Sequence, residues 1–283
     1  MIYATDLDGT LLDNNAELSQ YSREIIKKFI QTNKMTFLTA RSYSVCKKKL
    51  GDIPFNIPCA VLNGSYIIDY RTGEVLEEHL LDSNLTFEII NRVMEKGVLP
   101  IIICNIGGDE RMLYGDYNNK GYKDFIKQRN GDKRLLHIDL DKIDMYRSRA
   151  DFITIQLIDK ENKIREIKKV LNNYDIKIYI DRELYCPGYY YMNINPKSAT
   201  KATALQNIAR LCDSEACDFI VFGDQSNDIE MFDIAGKAYA VENAIEELKK
   251  KATGIIGGNN NDGVARFLEK QLNNKLKLRT WNI

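Results

Sequence analysis

The chain has 283 residues, enough for about two domains of ordinary size. Hydrophobic residues make up 44% and charged residues 28%, a composition that builds buried cores and excludes a disordered or fibrous polymer. Forty Lys and Arg balance forty Asp and Glu, so the chain carries no global field to hold nucleic acid or an anionic membrane.

The first expected element is a short strand ending at Asp6, followed by a glycine-containing turn and a helix whose Ile25, Ile26, Phe29 and Ile30 share one face. Met35 to Leu38 reads as the next strand, and Ala60 to Leu62 as a third that ends at Asn63-Gly64. Polar residues collected just after strand ends, in strand, helix, strand order, predict an α/β fold. Its core is a doubly wound, Rossmann-like parallel sheet whose ligands bind at the carboxyl ends of the strands. The middle third differs. A helix from about Leu85 to Lys96 opens on Asp82-Ser83-Asn84 and stops at Gly97, with a strand from Pro100 to Cys104 behind it. Residues 151–180 then read as strand, helix and strand, an α+β module of their own. After Pro187-Gly188 the first pattern resumes with a strand Tyr189 to Ile194, a helix Ala199 to Cys212 and a strand Phe219 to Phe222. The expected organisation is a discontinuous core of residues 1–82 and 189–283, with an α+β domain inserted at 83–188. Tyr189, Tyr190 and Tyr191 read as packing residues of a strand, and Asn259 to Asn261 as a loop.

The longest nearly apolar runs, such as Val98 to Cys104, fall far short of the ~20 residues of a membrane span. The opening residues do not resemble a signal peptide, which leads to the expectation of a cytoplasmic protein. Six cysteines without a Cys-x-x-Cys pair agree with that compartment and with no zinc site. With only His79 and His137 available, acid and base chemistry falls to carboxylates.

Two acidic clusters stand out. Asp6-Leu7-Asp8-Gly9-Thr10 places two carboxylates two residues apart directly after a strand. Such a segment is also a common polar turn, whereas a calcium loop is excluded by the missing later acidic ligands. Gly223-Asp224-Gln225-Ser226-Asn227-Asp228 follows another apolar strand, and by itself suits a solvated helix start. Together the clusters converge on one hard cation, and oxygen-only ligands favour magnesium over zinc. Thr39 at a strand end and Lys201 at a helix head add a hydroxyl and a cation suited to phosphate oxygens.

In these motifs the sequence resembles the haloacid dehalogenase superfamily, and specifically its Cof-type branch of phosphatases, over the whole chain. Asp6-Leu7-Asp8-Gly9-Thr10-Leu11-Leu12 is similar to the first family motif, Thr39-Ala40-Arg41 to the second, Lys201 to the third, and Gly223-Asp224 with Asn227-Asp228 to the fourth. Val61-Leu62-Asn63-Gly64 and Asn260 with Asp262-Gly263-Val264-Ala265 also resemble that branch. Ala40 departs from the frequent glycine there, and Gln225 stands where other residues are frequent. The resemblance implies a magnesium-dependent phosphatase of small phosphate monoesters, sugar or cofactor phosphates, with the insertion as a cap. Asp6 would be the nucleophile and Asp8 the acid and base. Leu7, Thr39, Ala40, Lys201 and Asn227 would bind the phosphate, Arg41 and Asn63 would face the substrate, and Asp6, Asp8, Asp224 and Asp228 would hold the metal. A phosphomutase and a catalytically silent sugar-phosphate-binding regulator are the alternatives. The expected partner is a small phosphorylated metabolite, with neither nucleic acid nor membrane, bound by a monomer or small homo-oligomer.

Overall fold

The computed structural model describes residues 1–182 and 186–280. It divides into two compact units, one made of Met1–Glu78 with the chain from Thr200 onward, the other of His79–Ala199.

The first unit begins with β1 (Ile2–Thr5), α1 (Gln20–Ile30), β2 (Lys34–Phe37), α2 (Tyr43–Leu50), β3 (Cys59–Val61), β4 (Tyr66–Ile68) and β5 (Val75–Glu78). All four residues of β1 are buried, as expected of a strand covered on both faces. Helix α1 starts where Ser19 Oγ accepts from Ser22 N at 3.0 Å, and it buries Ile25, Ile26, Phe29 and Ile30, the face expected from their spacing. The strand expected at 60–62 is β3, but it does not extend the parallel sheet. It pairs antiparallel with β4 in a separate three-stranded sheet, order β3-β4-β5, and meets the chain just after β2 through a parallel Leu38–Ala60 bridge. The reason is local: Leu62, Asn63 and Gly64 are left-handed and turn the chain back on itself.

The second unit contains α3 (Ser83–Glu95), β6 (Ile101–Ile106), β7 (Asp109–Tyr114), α4 (Lys120–Gln128), β8 (Leu135–His137), β9 (Ala150–Lys160), α5 (Glu161–Val170), β10 (Ile176–Arg182) and β11 (Tyr189–Pro196). Its strands form one sheet in the order β10-β11-β9-β6-β7-β8. One core gathers Phe87, Ile90 and Val93 of α3, Ile164 and Ile167 of α5, and Ile155, Leu157, Met192 and Ile194 of the sheet. The strand at 189–194, expected in the parallel core, belongs here instead. β11 pairs antiparallel with both β9 and β10, so the unit runs to Ala199 and not to 188. Tyr191 packs in this unit, its ring edge-on to Phe125.

Back in the first unit follow α6 (Lys201–Leu211), β12 (Phe219–Gly223), α7 (Ile229–Ile234), β13 (Lys237–Val241), α8 (Glu246–Lys251), β14 (Gly254–Ile256) and α9 (Gly263–Thr280). The parallel sheet runs β14-β13-β12-β1-β2. β1 pairs with β2 on one side and β12 on the other, in register Ile2 with Lys34 and with Phe219. Connections therefore reverse direction between β1 and β12, the point where open parallel sheets bind their ligands. Among the described residues, no helix is long and apolar enough to cross a membrane.

Candidate active site

Asp6 follows β1 and Asp224 follows β12, so both carboxylates emerge at the reversal point. The backbone joins them: Asp6 N donates to Phe222 O at 2.9 Å. Past Asp6 the chain coils tightly, with Leu7 O accepting from the backbone N–H groups of Thr10, Leu11 and Leu12. Gly9 has φ +70° in this coil, and a Cβ there would collide with Asp224 Oδ2. Gly9→Ala is therefore expected to destabilise the protein by more than ~1 kcal/mol, read as a lower urea midpoint, and to lower activity by displacing Asp224.

Lys201 lies at the first position of α6, behind the Thr200 cap whose Oγ1 accepts from Thr203 N at 3.1 Å. A cation there opposes the helix dipole, yet the side chain is 1% exposed. Two carboxylates account for it. Lys201 Nζ donates to Asp6 Oδ1 at 2.7 Å and to Asp228 Oδ1 at 2.6 Å. Burial by itself would lower the lysine pKa, but Asp228 and Asp6 outweigh it and hold the ammonium firmly charged. Asp228 is fully buried, and its Oδ2 accepts from the backbone N–H groups of Asp224 and Gln225 at 2.9 and 3.0 Å. Both its oxygens are thus engaged by the protein. Asp224 Oδ1 accepts from Thr10 Oγ1 at 2.9 Å.

Asp8 sits in a fork made by Arg41, with Nε to Oδ2 at 2.6 Å and Nη2 to Oδ1 at 2.5 Å. Thr39 is buried, its Oγ1 accepting from Arg41 N at 3.2 Å, while Ala40 is exposed. Asn227 Nδ2 donates to Asn63 Oδ1 at 3.1 Å. Every expected site residue therefore falls in the first unit, at the ends of β1, β2, β3 and β12 or the head of α6. Two supports were not among the expected site residues. Thr10 holds Asp224, and Asn243 Nδ2 donates to Gly9 O at 2.7 Å. The Asn243 oxygen in turn accepts from Asn259 N, and Asn259 Nδ2 donates to Leu12 O at 3.0 Å. The asparagine-rich segment is thus a strut for the first acidic loop. Amides 234 and 247 residues downstream of their partners carry no sequence signal of that partnership.

The donor set fits a hard divalent cation. Asp6, Asp224 and Asp228 each offer a carboxylate oxygen, all within 4.8 Å of one another. Burial first, and then the charges of Asp228, Asp224 and Asp8, push the Asp6 pKa well up against the pull of Lys201. Burial and Asp228 push Asp224 up to about 7. Three buried acids facing one lysine carry more negative charge than the protein offsets by itself, and a bound cation of oxygen preference would correct the imbalance.

A family model described as haloacid dehalogenase-like hydrolase matches residues 3–268. Two curated proteins of Bacillus subtilis are similar along nearly their full length. The 5-amino-6-(5-phospho-D-ribitylamino)uracil phosphatase YwtE is 26% identical, with 95% of this chain and 97% of that protein covered. YitU, which bears the same phosphatase name, is 24% identical with 95% and 96% covered. Among solved structures, a haloacid dehalogenase-like hydrolase from B. subtilis superposes with a TM-score of 0.80 at 17% identity, covering 95% of this chain and 99% of the other.

Proposed function

The chain belongs to the haloacid dehalogenase-like hydrolases, and from that premise we propose that it is a magnesium-dependent phosphatase of small phosphate monoesters, acting through an aspartyl phosphate on Asp6. The observation that carries this reading is the meeting of Asp6, Asp224, Asp228 and Lys201 at the reversal point of the sheet, with Asp8 two residues beyond Asp6. The names of the B. subtilis relatives support a small soluble ester with a polyol portion. The inserted unit, His79–Ala199, is assigned as the cap domain that sets substrate choice.

In this mechanism an oxygen of Asp6 attacks phosphorus in line, and the bond to the leaving alcohol breaks. Asp8 gives its proton to the departing oxygen. In the second half it takes a proton from the water that cleaves the acyl phosphate, a role that typically contributes about 10²–10⁴-fold. Lys201, Thr39, Asn227 and the backbone of Leu7 and Ala40 hold the phosphate oxygens. An anionic nucleophile and an anionic substrate repel each other, by roughly 4 kcal/mol for unit charges ~4 Å apart at an effective dielectric of ~20. Asp6, Asp224 and the backbone carbonyl of Asp8, with Asp228 nearby, would hold a magnesium ion, whose charge would supply the neutralisation.

The test is phosphate release from p-nitrophenyl phosphate and from a panel of sugar phosphates, FMN, pyridoxal phosphate and nucleotides. Turnover is expected with magnesium, none in excess chelator, and recovery on adding back magnesium but not zinc. Full activity in excess chelator would remove the metal from the mechanism, and no release from any ester would sink the phosphatase reading.

A further inference from the structure

Leu62, Asn63 and Gly64 stand in the left-handed region in succession, with φ of 51°, 56° and 94°. A run of this kind is rare for residues with a side chain, asparagine being among the better tolerated and leucine among the worst. It persists because its surroundings over-determine it. Leu62 N donates to Arg41 O at 2.9 Å, Asn63 N to Thr39 O at 2.8 Å, and Ser65 N to Leu62 O at 3.1 Å. Behind the turn, a Cβ on Gly64 would lie 2.8 Å from Thr200 O, the residue that caps the helix of Lys201. The turn is thus fastened to two segments that carry phosphate-binding candidates, and Asn63 reaches the third. Asn63 is 5% exposed, and its Oδ1 accepts from Asn227 Nδ2 at 3.1 Å.

A carboxamide has two ends of nearly equal shape and opposite polarity. One end offers N–H groups to an anion, and the other offers a carbonyl oxygen that repels it. When one N–H of Asn227 is committed to the Asn63 oxygen, the amide nitrogen keeps its second N–H for a ligand. We propose that Asn63 is a positioning residue, whose side-chain oxygen sets the orientation in which Asn227 donates to the substrate phosphate. This rests on the phosphatase reading for the identity of the anion. Among the expected site residues, it moves Asn63 from facing the substrate to acting through Asn227.

Glycine adopts the left-handed conformation without strain, so Asn63→Gly removes the acceptor and retains the turn. The full-length protein, Asn63→Gly, Asn227→Ala and the double variant are compared in two assays. One is the kinetics of p-nitrophenyl phosphate hydrolysis with magnesium, and the other is calorimetric binding of inorganic phosphate. Asn63→Gly is expected to raise KM and the phosphate Kd by about tenfold, with a smaller change in kcat. Asn227→Ala should lose a similar factor, and the double variant should lose little more, because the two act as one unit. Wild-type affinity in Asn63→Gly would overturn the proposal, as would losses that multiply in the double variant. If the glycine variant does not fold, the side-chain amide resonances of Asn227 in the wild-type protein decide: on addition of inorganic phosphate one N–H proton should shift while the other, held by Asn63, stays, and equal shifts of both would overturn the proposal. A wild-type protein that binds phosphate but hydrolyses no ester defeats the phosphatase reading and leaves the binding comparison to decide the role of Asn63. Absence of both defeats both.

Discussion

Asp6→Asn is expected to abolish ester hydrolysis, with kcat down by about 10⁴–10⁶-fold, while the protein stays folded and no less stable than the wild type. The two halves of this expectation have separate causes. Activity disappears because asparagine has no oxygen anion to attack phosphorus. Stability is retained because the folded state disfavours the charged form of Asp6: burial and three neighbouring carboxylates raise its pKa, and Lys201 only partly opposes them. Removing that charge at neutral pH relieves a cost that the wild type bears for its chemistry. Steady-state assays beside urea unfolding test both halves. Asp8→Asn gives the contrast. It keeps the nucleophile and loses the proton carrier, so with an activated aryl phosphate it should accumulate phosphate on Asp6, visible by intact mass. Label on Asp8, or steady turnover in the Asp6 variant, would reverse the two roles.

Lys201→Met is expected to lose both activity and fold stability. The lysine is fully buried between Asp6 and Asp228, at 2.7 and 2.6 Å. Methionine fills similar space but leaves two buried carboxylates without their cation, a change that typically costs about 3–5 kcal/mol. The sign of its pH dependence follows from the same charges. Lys201 is the one neighbour that pulls the raised pKa of Asp6 down, so without it Asp6 in the folded variant lies further above its unfolded value and the folded state binds more protons. The stability of the variant therefore falls as pH rises above the ordinary carboxylate range, and its deficit against wild type widens in that direction. Urea midpoints at acid and neutral pH measure this. An equal deficit at both would mean that packing, not charge, explains the burial of Lys201. The ester assay should show a loss of at least ~100-fold, since the same ammonium is expected to hold a phosphate oxygen.

Much of this arrangement was legible in the linear sequence because its signals are local. Strands β1, β2 and β12 are short apolar runs that end in polar residues, and α1, α3, α5 and α6 carry a clear helical period. Both acidic clusters sit directly after such strands, so their placement at strand ends needed only the order of elements. The elements β7, β8 and α4 gave weaker signals. Asp109–Tyr114 reads Asp-Glu-Arg-Met-Leu-Tyr, with no clean alternation, and it becomes a strand because β6 and β8 pair with it on either side.

Pairing partners and long-range ties were decided by the tertiary structure. Composition, motif spacing and the hydrophobic period determined the α/β core, the presence of an insertion and the placement of two acidic clusters after strands, since each depends on neighbours within a few residues. Whether Tyr189–Pro196 joins the parallel core or the other sheet depends on which edge offers hydrogen bonds. That edge is β9 with β10, so the boundary moved to Ala199. The fork of Arg41 on Asp8, the grip of Asn243 on Gly9 and the pairing of Asn63 with Asn227 join residues 33, 234 and 164 positions apart. No periodicity encodes such contacts, because they exist only once the sheet has brought its strand ends together and burial has made every unpaired polar group costly.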